Sequence, residues 1–346
     1  MNSQIIDLRS DTVTLPSPEM LDAISSAKLG DDVFSEDPTV NSLQEKAARI
    51  MGKEDALLVP SGTMGNLVSI LVHCDRGDEV ILGDQAHTFL YEAGGISAFG
   101  GVHSRQLKNN EDGTIDLSLI EASIREENVH FPPTTLISLE NTHNRCFGAP
   151  LSPSYMSKVA AIAKANNCKI HLDGARIFNA SVALALDVKE LAKDVDSLTF
   201  CLSKGLSCPV GSIICGSSDF IKKARHIRKA LGGGMRQVGI IAKFGEFSLD
   251  NMISQIKVDH DNALNLATGL SNINGINIDI EKVHTNIVYF TLNESKNNLS
   301  NQLITLMKEK GILFFEVSPN RYRLVTHYGI ESEHIETVLN TINKIL

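Results

Sequence analysis

Between residues 55 and 231, short runs rich in Val, Ile, Leu and Phe alternate with longer segments whose apolar residues recur at helical spacing. This alternation constrains the chain more than any other feature. Strands that are apolar almost throughout belong to a mostly parallel sheet whose two faces are both covered by helices. The spacing predicts strands over 56–59, 79–82, 135–139, 169–172, 198–202 and 210–215, and helices over 64–72, 117–126, 153–166 and 219–231. In the 153–166 helix, Tyr155, Val159, Ile162 and Ala163 share one face while Lys158 and Lys164 lie towards the other.

After residue 245 the rhythm changes. A long helical segment over 247–270 is followed by a strand at 287–292, a helix at 299–308, strands at 313–317 and 322–326, and a helix at 332–345. The 346 residues suit two domains at roughly 150 residues each. The expected organisation is a large α/β domain over 1–246 and a smaller α+β domain over 247–346, joined through a continuous helix.

Composition excludes several classes. With 42% hydrophobic and 21% charged residues the chain is an ordinary globular protein. Its 32 Lys and Arg stand against 41 Asp and Glu, and no stretch gathers the cations into the stripe a phosphate backbone needs, so nucleic acid is not an expected partner. Cys74, Cys146, Cys168, Cys201, Cys208 and Cys215 show no C-x-x-C spacing, which suits a reducing cytoplasm. The opening MNSQIIDLRSD lacks the basic head and apolar stretch of an export signal, and no run of about 18 apolar residues could span a membrane.

Ligands of open α/β sheets sit beyond the carboxyl ends of the strands, and three such junctions stand out. At LLVPSGTMGN, a strand leads through Ser61, Gly62 and Thr63 into a helix, whose unpaired N–H groups suit a phosphate; the plain alternative is an ordinary capped helix start. At KIHLDGAR, a buried strand delivers Asp173 at its end, where the carboxylate needs either Arg176 or a protonated ligand nitrogen. At LTFCLSKGL, Lys204 stands at the tip of a core strand, placed either to form a Schiff base or to snorkel to solvent. An anion cradle, an acid for a pyridinium nitrogen and a strand-end lysine together match what pyridoxal 5′-phosphate (PLP) asks of a protein. Arg236, in GGGMRQ, adds a cation that can reach a phosphate, including that of a neighbouring subunit. The same stretch fails as a dinucleotide motif, because Gln237 replaces the last glycine and a helix precedes it.

Over nearly its whole length the sequence resembles the low-specificity L-threonine aldolases, PLP enzymes of the aspartate-aminotransferase-like fold (fold type I) in the β-eliminating lyase group. The resemblance rests on DLRSDTVT, GDDVF with EDPTVN, PSGTMGN, LENTHN, HLDGARIFNA, CLSKGL with PVGS, GGGMRQ, DHDNA and RLVTH, in that order. It implies that Lys204 forms the Schiff base, Asp173 partners the pyridine nitrogen, Arg176 lies near the phenolic oxygen and His87 stacks on the ring. Gly62, Thr63 and Arg236 would hold the phosphate. Ser10 and Arg323 would grip the substrate carboxylate, with Arg321 a lesser candidate, and His143 would stand near the β-hydroxyl. Either His143 or His87 can serve as the base. The implied reaction is retro-aldol cleavage of L-threonine or L-allo-threonine, and of other β-hydroxy-α-amino acids, to glycine and an aldehyde. A PLP-dependent lyase or racemase that breaks Cα–H is the alternative. A homotetramer with active sites at a dimer interface is also implied. No strong metal-ligand spacing is present; His260, between Asp259 and Asp261, reads as a solvated or domain-joining helix position.

Overall fold

The computed structural model describes residues 5–300 and 302–346. Its strands, in chain order, are β1 (Ile6–Asp7), β2 (Asp55–Val59), β3 (Glu79–Gly83), β4 (His103–Leu107), β5 (Thr134–Glu140), β6 (Lys169–Asp173), β7 (Ser197–Cys201), β8 (Ser212–Gly216), β9 (Ile276–Asn277), β10 (Ile287–Leu292), β11 (Ile312–Leu313), β12 (Phe315–Ser318) and β13 (Arg321–Val325). A seven-stranded sheet runs β2-β8-β7-β6-β5-β3-β4. Every neighbour pair in it is parallel except the two that β8 makes, with β2 and with β7.

Helices cover both faces, and the two-residue period of the strands sorts side chains between them. On one face Leu58, Ile137, Ile170, Leu172, Leu198 and Phe200 join a core that includes Val40, Leu43 and Ala47 of the Pro38–Met51 helix and Val159 of the Pro153–Ala165 helix. On the other face Leu57, Val59 and Ile214 pack with Val68 of the Gly62–His73 helix and with Phe220, Ile221 and Ala224 of the Ser218–Ala230 helix. The serines that begin these helices act alike: Ser61, Ser152 and Ser217 each accept a hydrogen bond from the amide three residues on. The Gly62–His73 helix lies so close to β7 that a Cβ on Gly65 would come within 2.8 Å of the Thr199 side chain.

The C-terminal part carries an antiparallel sheet, β12-β13-β10-β9, against helices Gln255–Ser271 and Ser332–Ile345. β1 pairs in parallel with β11, and Ile6 and Leu8 enter the same core as Phe290, Tyr322 and Val338. The helix expected over 299–308 is found as two, Asn297–Ser300 and Leu303–Glu309, and two further expected elements are divided. The segment read as one helix over 247–270 is two helices, Gly239–Asn251 and Gln255–Ser271. Between them Asn251 and Ser254 turn their side chains onto the carbonyls of Phe247 and Asn251, which competes with helix propagation. The segment read as one strand over 313–317 serves two sheets, through β11 and β12, with Phe314 buried between them. β4 has no apolar signature because it is the sheet's edge, whereas the Pro38–Met51 helix, outside the expected elements, carries an Asp37-Pro38 start and a buried stripe of Val40, Leu43, Ala47 and Met51 at helical spacing. No helix among the described residues is long and apolar enough to cross a membrane.

Candidate active site

A cavity of about 370 Å³ is bordered by Ser10, Thr12, His87, Tyr91, Asn144, Arg176, Lys204, Arg323 and the β12 residues Phe315, Glu316 and Val317. Five residues singled out in the sequence therefore meet here: Ser10, His87, Arg176, Lys204 and Arg323. They arrive from the N-terminal segment, the turn after β3, the turn after β6, the turn after β7, and β13. Lys204 lies just past β7, where the Ser207 N–H donates to its carbonyl at 2.8 Å.

Asp173 ends β6 and is buried at 4% exposure. Its carboxylate accepts from Asn66 Nδ2 at 2.8 Å and from the Ala175 N–H at 3.0 Å, and among the described residues no Lys or Arg bonds to it. Burial opposes its ionisation, but positive His87 and Lys204 nearby, with the Asn66 and Ala175 donors, hold the carboxyl below its usual range. The ion pair between Asp173 and Arg176, one sequence alternative, does not form. Arg176 instead takes Asp11, Nε to Oδ2 at 2.6 Å and Nη2 to Oδ1 at 2.7 Å. Asp173 thus keeps capacity for a cationic N–H from a ligand.

His87 begins a short helix; its backbone N–H donates to Glu140 Oε2 and its Nδ1 lies 2.8 Å from Glu92 Oε1. Burial works against the imidazolium, yet the bond to Glu92 and the charge of Asp173 outweigh it and raise the His87 pKa. Arg323 Nη1 donates to Asn144 Oδ1 and Nη2 to the Arg9 carbonyl, each at 3.1 Å, while its Nε has no hydrogen-bond partner among the described residues. Arg321 is engaged elsewhere, its guanidinium over the Tyr289 ring at 4.4 Å and the Phe147 ring at 5.0 Å.

Besides Asp173, four residues expected at the site stand apart from the cavity wall: Gly62, Thr63, Arg236 and His143. Gly62 and Thr63 open the Gly62–His73 helix, where Ser61 caps the Met64 amide and leaves their own N–H groups without helical partners. A Cβ on Gly62 would come within 2.9 Å of Cys201 Sγ, so the tight approach there needs glycine. Arg236 is 54% exposed and pairs with Asp31 at 2.9 Å, outside the cavity of its own chain. His143 follows β5 beside Asn144, is buried, and among the described residues has no hydrogen-bond partner at either ring nitrogen; Glu140 Oε2 lies 3.9 Å from Nε2. His260 joins two helices, its Nε2 lying 3.1 Å from Asn179 Nδ2.

The sequence reading does not single out Asp11, Asn66, Glu92, Glu140 or Asn144 as functional. All but Glu92 lie inside motifs that carry the resemblance, and each is a polar residue that turns inward. Nothing in the local sequence marks Glu92. The donor set fits PLP: a lysine amine on the cavity wall, a buried carboxylate bonded only by neutral donors, and a helix start with free N–H groups and no room for a Cβ.

Residues 7–293 match the family described as beta-eliminating lyase. The chain is 46% identical over 344 residues to low-specificity L-threonine aldolase 1 of Arabidopsis thaliana, covering 99% of this chain and 96% of that one. It is 43% identical over 334 residues to the low specificity L-threonine aldolase of Escherichia coli (strain K12), covering 96% and 97%. Among solved structures, a threonine aldolase of Leishmania major superposes with a TM-score of 0.83 at 19% identity, over 98% of this chain and 99% of that one, and shares its fold. That fold is the aspartate-aminotransferase-like fold type I of PLP enzymes. The matched length and identity, together with the cavity's donor set, show that the chain belongs to the beta-eliminating lyase family, within the group of the low-specificity L-threonine aldolases.

Proposed function

We propose that this protein is a PLP-dependent aldolase that cleaves L-threonine and L-allo-threonine to glycine and acetaldehyde, and treats other β-hydroxy-α-amino acids likewise. The observation that carries the reading is that Lys204, His87, Ser10 and Arg323 share one cavity, while buried Asp173 lies beside His87. PLP, when bound, supplies an electron sink for the pair left at Cα as the bond to Cβ breaks.

The chain's own residues do the rest. Lys204 is the amine that would hold the cofactor's aldehyde carbon. Asp173 would accept a hydrogen bond from its protonated ring nitrogen, His87 would pack against the ring, and Arg176, anchored by Asp11, would serve the phenolic oxygen. Gly62 and Thr63 would donate to the phosphate. Ser10 and Arg323 would bind the substrate carboxylate and so fix the orientation of the Cα–Cβ bond, which selects that bond for cleavage. One imidazole, His87 or His143, removes the β-hydroxyl proton, directly or through water.

The same reading makes the protein a cytoplasmic homotetramer with active sites at a dimer interface. Arg236 supports this, since it is exposed and outside its own chain's cavity, as a residue serving a neighbour's phosphate must be. Exposed Leu15 and Phe34 are further apolar surface for a second copy. The domain division at 246/247 has two cores behind it, although Leu249, Met252 and Ile256 pack into the first and β1 stitches the N-terminal segment onto the second.

The test is an absorption spectrum of the protein with PLP, before and after L-allo-threonine, with acetaldehyde assayed in the same cuvette. A visible cofactor band with acetaldehyde release is expected. A band without acetaldehyde moves the function to another PLP reaction, and no band overturns the reading of the site.

A further inference from the structure

Behind Asp173, on the face of the sheet that meets the Gly62–His73 helix, a strip of polar side chains runs through otherwise apolar packing. β6 turns His171 and Asp173 to this face, while Ile170 and Leu172 enter the opposite core. β7, with His171 opposite Ser197 and Asp173 opposite Thr199, does the same with Ser197 and Thr199. The helix supplies Asn66 and, two turns on, His73. The contacts are continuous: His73 Nε2 to Ser197 Oγ at 2.7 Å, Ser197 Oγ to His171 Nδ1 at 2.9 Å, and His171 Nε2 to Asn66 Oδ1 at 3.1 Å. Asn66 Nδ2 then meets Asp173 Oδ2 and Glu92 Oε1, each at 2.8 Å.

Only one placement of protons satisfies this chain. Asn66 must turn its amide nitrogen to the two carboxylates, because its oxygen there would face like charge; that nitrogen has two hydrogens, one for each. Asn66 Oδ1 is then an acceptor, and Thr199 Oγ1 donates to it at 2.8 Å. His171 Nε2 must also donate to it. Burial keeps the His171 ring neutral, its pKa pushed down to about 3, so Nδ1 is bare and takes the Ser197 hydroxyl proton. Ser197 has no other hydrogen to give, which makes His73 Nε2 the donor to its oxygen. The His73 ring is likewise held neutral by burial, at about 4, with Lys169 and Lys223 adding to the shift and Asp196 opposing it. Reversing any bond would set two lone pairs face to face.

We propose that His73, Ser197, His171 and Asn66 form a one-way hydrogen-bond chain whose every donor points towards Asp173, and that they are positioning residues for the carboxylate that serves the cofactor's ring nitrogen. The chain begins beside a surface groove of about 550 Å³ that His73 borders, and ends under the cavity wall. It gives Asn66 Oδ1 a second donor beside Thr199 and so reinforces the amide orientation that the two carboxylates require. The consequence for the cofactor rests on the assignment of Asp173 proposed above; the order of donors does not.

The test has two arms. In the cofactor-free full chain, long-range ¹H–¹⁵N spectra of the imidazoles, with His171 assigned through its absence in His171→Gln and His73 likewise in His73→Gln, should show both rings neutral and protonated at Nε2. Either ring protonated at Nδ1, or doubly protonated at neutral pH, overturns the chain whatever the protein catalyses. In the holoenzyme loaded with PLP labelled with ¹⁵N in the ring, His171→Leu should move the ring signal towards the unprotonated position. It should also lower kcat about 10-fold, the equivalent of one pKa unit, at little changed KM. His171→Gln, which restores an N–H to Asn66, should return both to wild type. An unmoved ¹⁵N signal in His171→Leu overturns the positioning role, whereas a wild-type chain that takes up no PLP fails the reading of function and leaves the first arm to decide the proton order.

Discussion

Arg176 and Asp11 are joined by two hydrogen bonds, at 2.6 and 2.7 Å, that tie the N-terminal segment to the turn after β6. Both side chains are buried, at 5% and 0% exposure. Nη1 of Arg176 reaches Asn144 Oδ1, which also accepts from Arg323. Asp11 therefore anchors one guanidinium group of the cavity, and Asn144 links it to the second.

Removing one partner of a buried ion pair strands the other charge, so Asp11→Asn should cost about 3–5 kcal/mol in urea unfolding at neutral pH. Burial resists ionisation of Asp11, but Arg176 overrides it and holds the carboxyl far below its usual range. A carboxyl depressed on folding stabilises fully above its unfolded pKa, about 4, and loses that contribution as pH falls towards its folded value. The gap between wild type and variant should therefore narrow in acid. Equal stability at neutral pH would refute the pairing.

Glu92→Gln should lower the pH at which His87 titrates. The bond to Glu92 and the charge of Asp173 raise that pKa against burial and Lys204, and the variant leaves burial less opposed. The sign for stability follows: a histidine raised on folding contributes fully below its unfolded pKa and loses the contribution as pH rises through the folded one. Imidazole NMR titration of the cofactor-free protein reads the shift. A His87 pKa unchanged in the variant would show that Glu92 does not set it.

His87→Phe and His143→Phe separate the two candidate bases. The variant that removes the base should lose roughly 10²- to 10⁴-fold in kcat, and the other much less. Because neither ring nitrogen of His143 has a hydrogen-bond partner among the described residues, its replacement breaks no hydrogen bond there, and a rate loss should come without loss of thermal stability. Small, equal losses in both variants would remove both residues from the role.

Arg236→Ala should weaken cofactor retention, read as PLP lost on dialysis. Its exposed ion pair with Asp31 contributes at most about 1 kcal/mol, so the fold should persist. Full occupancy in the variant would end the shared-phosphate idea, and retention that is independent of protein concentration would count against the need for a second copy.

Much of this was legible in the chain. The buried strands betray themselves by unbroken apolar runs, and Asp173 and Lys204 by interrupting such runs at a strand's end. β4 and the divided 313–317 segment were not legible in the same way, because an edge strand and a strand shared by two sheets carry no two-faced burial to impose a pattern. Asp11, Asn66 and Glu140 lay in view within motifs, yet their partners stand far along the chain: 165 residues separate Asp11 from Arg176, and 107 separate Asn66 from Asp173.

The sequence by itself determined the sheet-and-helix alternation, the junctions where a ligand is met, and the residue types present there, because periodicity and turn chemistry are local properties of the backbone. Tertiary structure decided which charges pair. Arg176 takes Asp11 and leaves Asp173 hydrogen-bonded only by neutral donors, and Asn66 faces two carboxylates with its nitrogen. Such choices depend on burial and on distances between elements remote in sequence, where the cost of an unmatched polar group is set by what the folded chain places beside it.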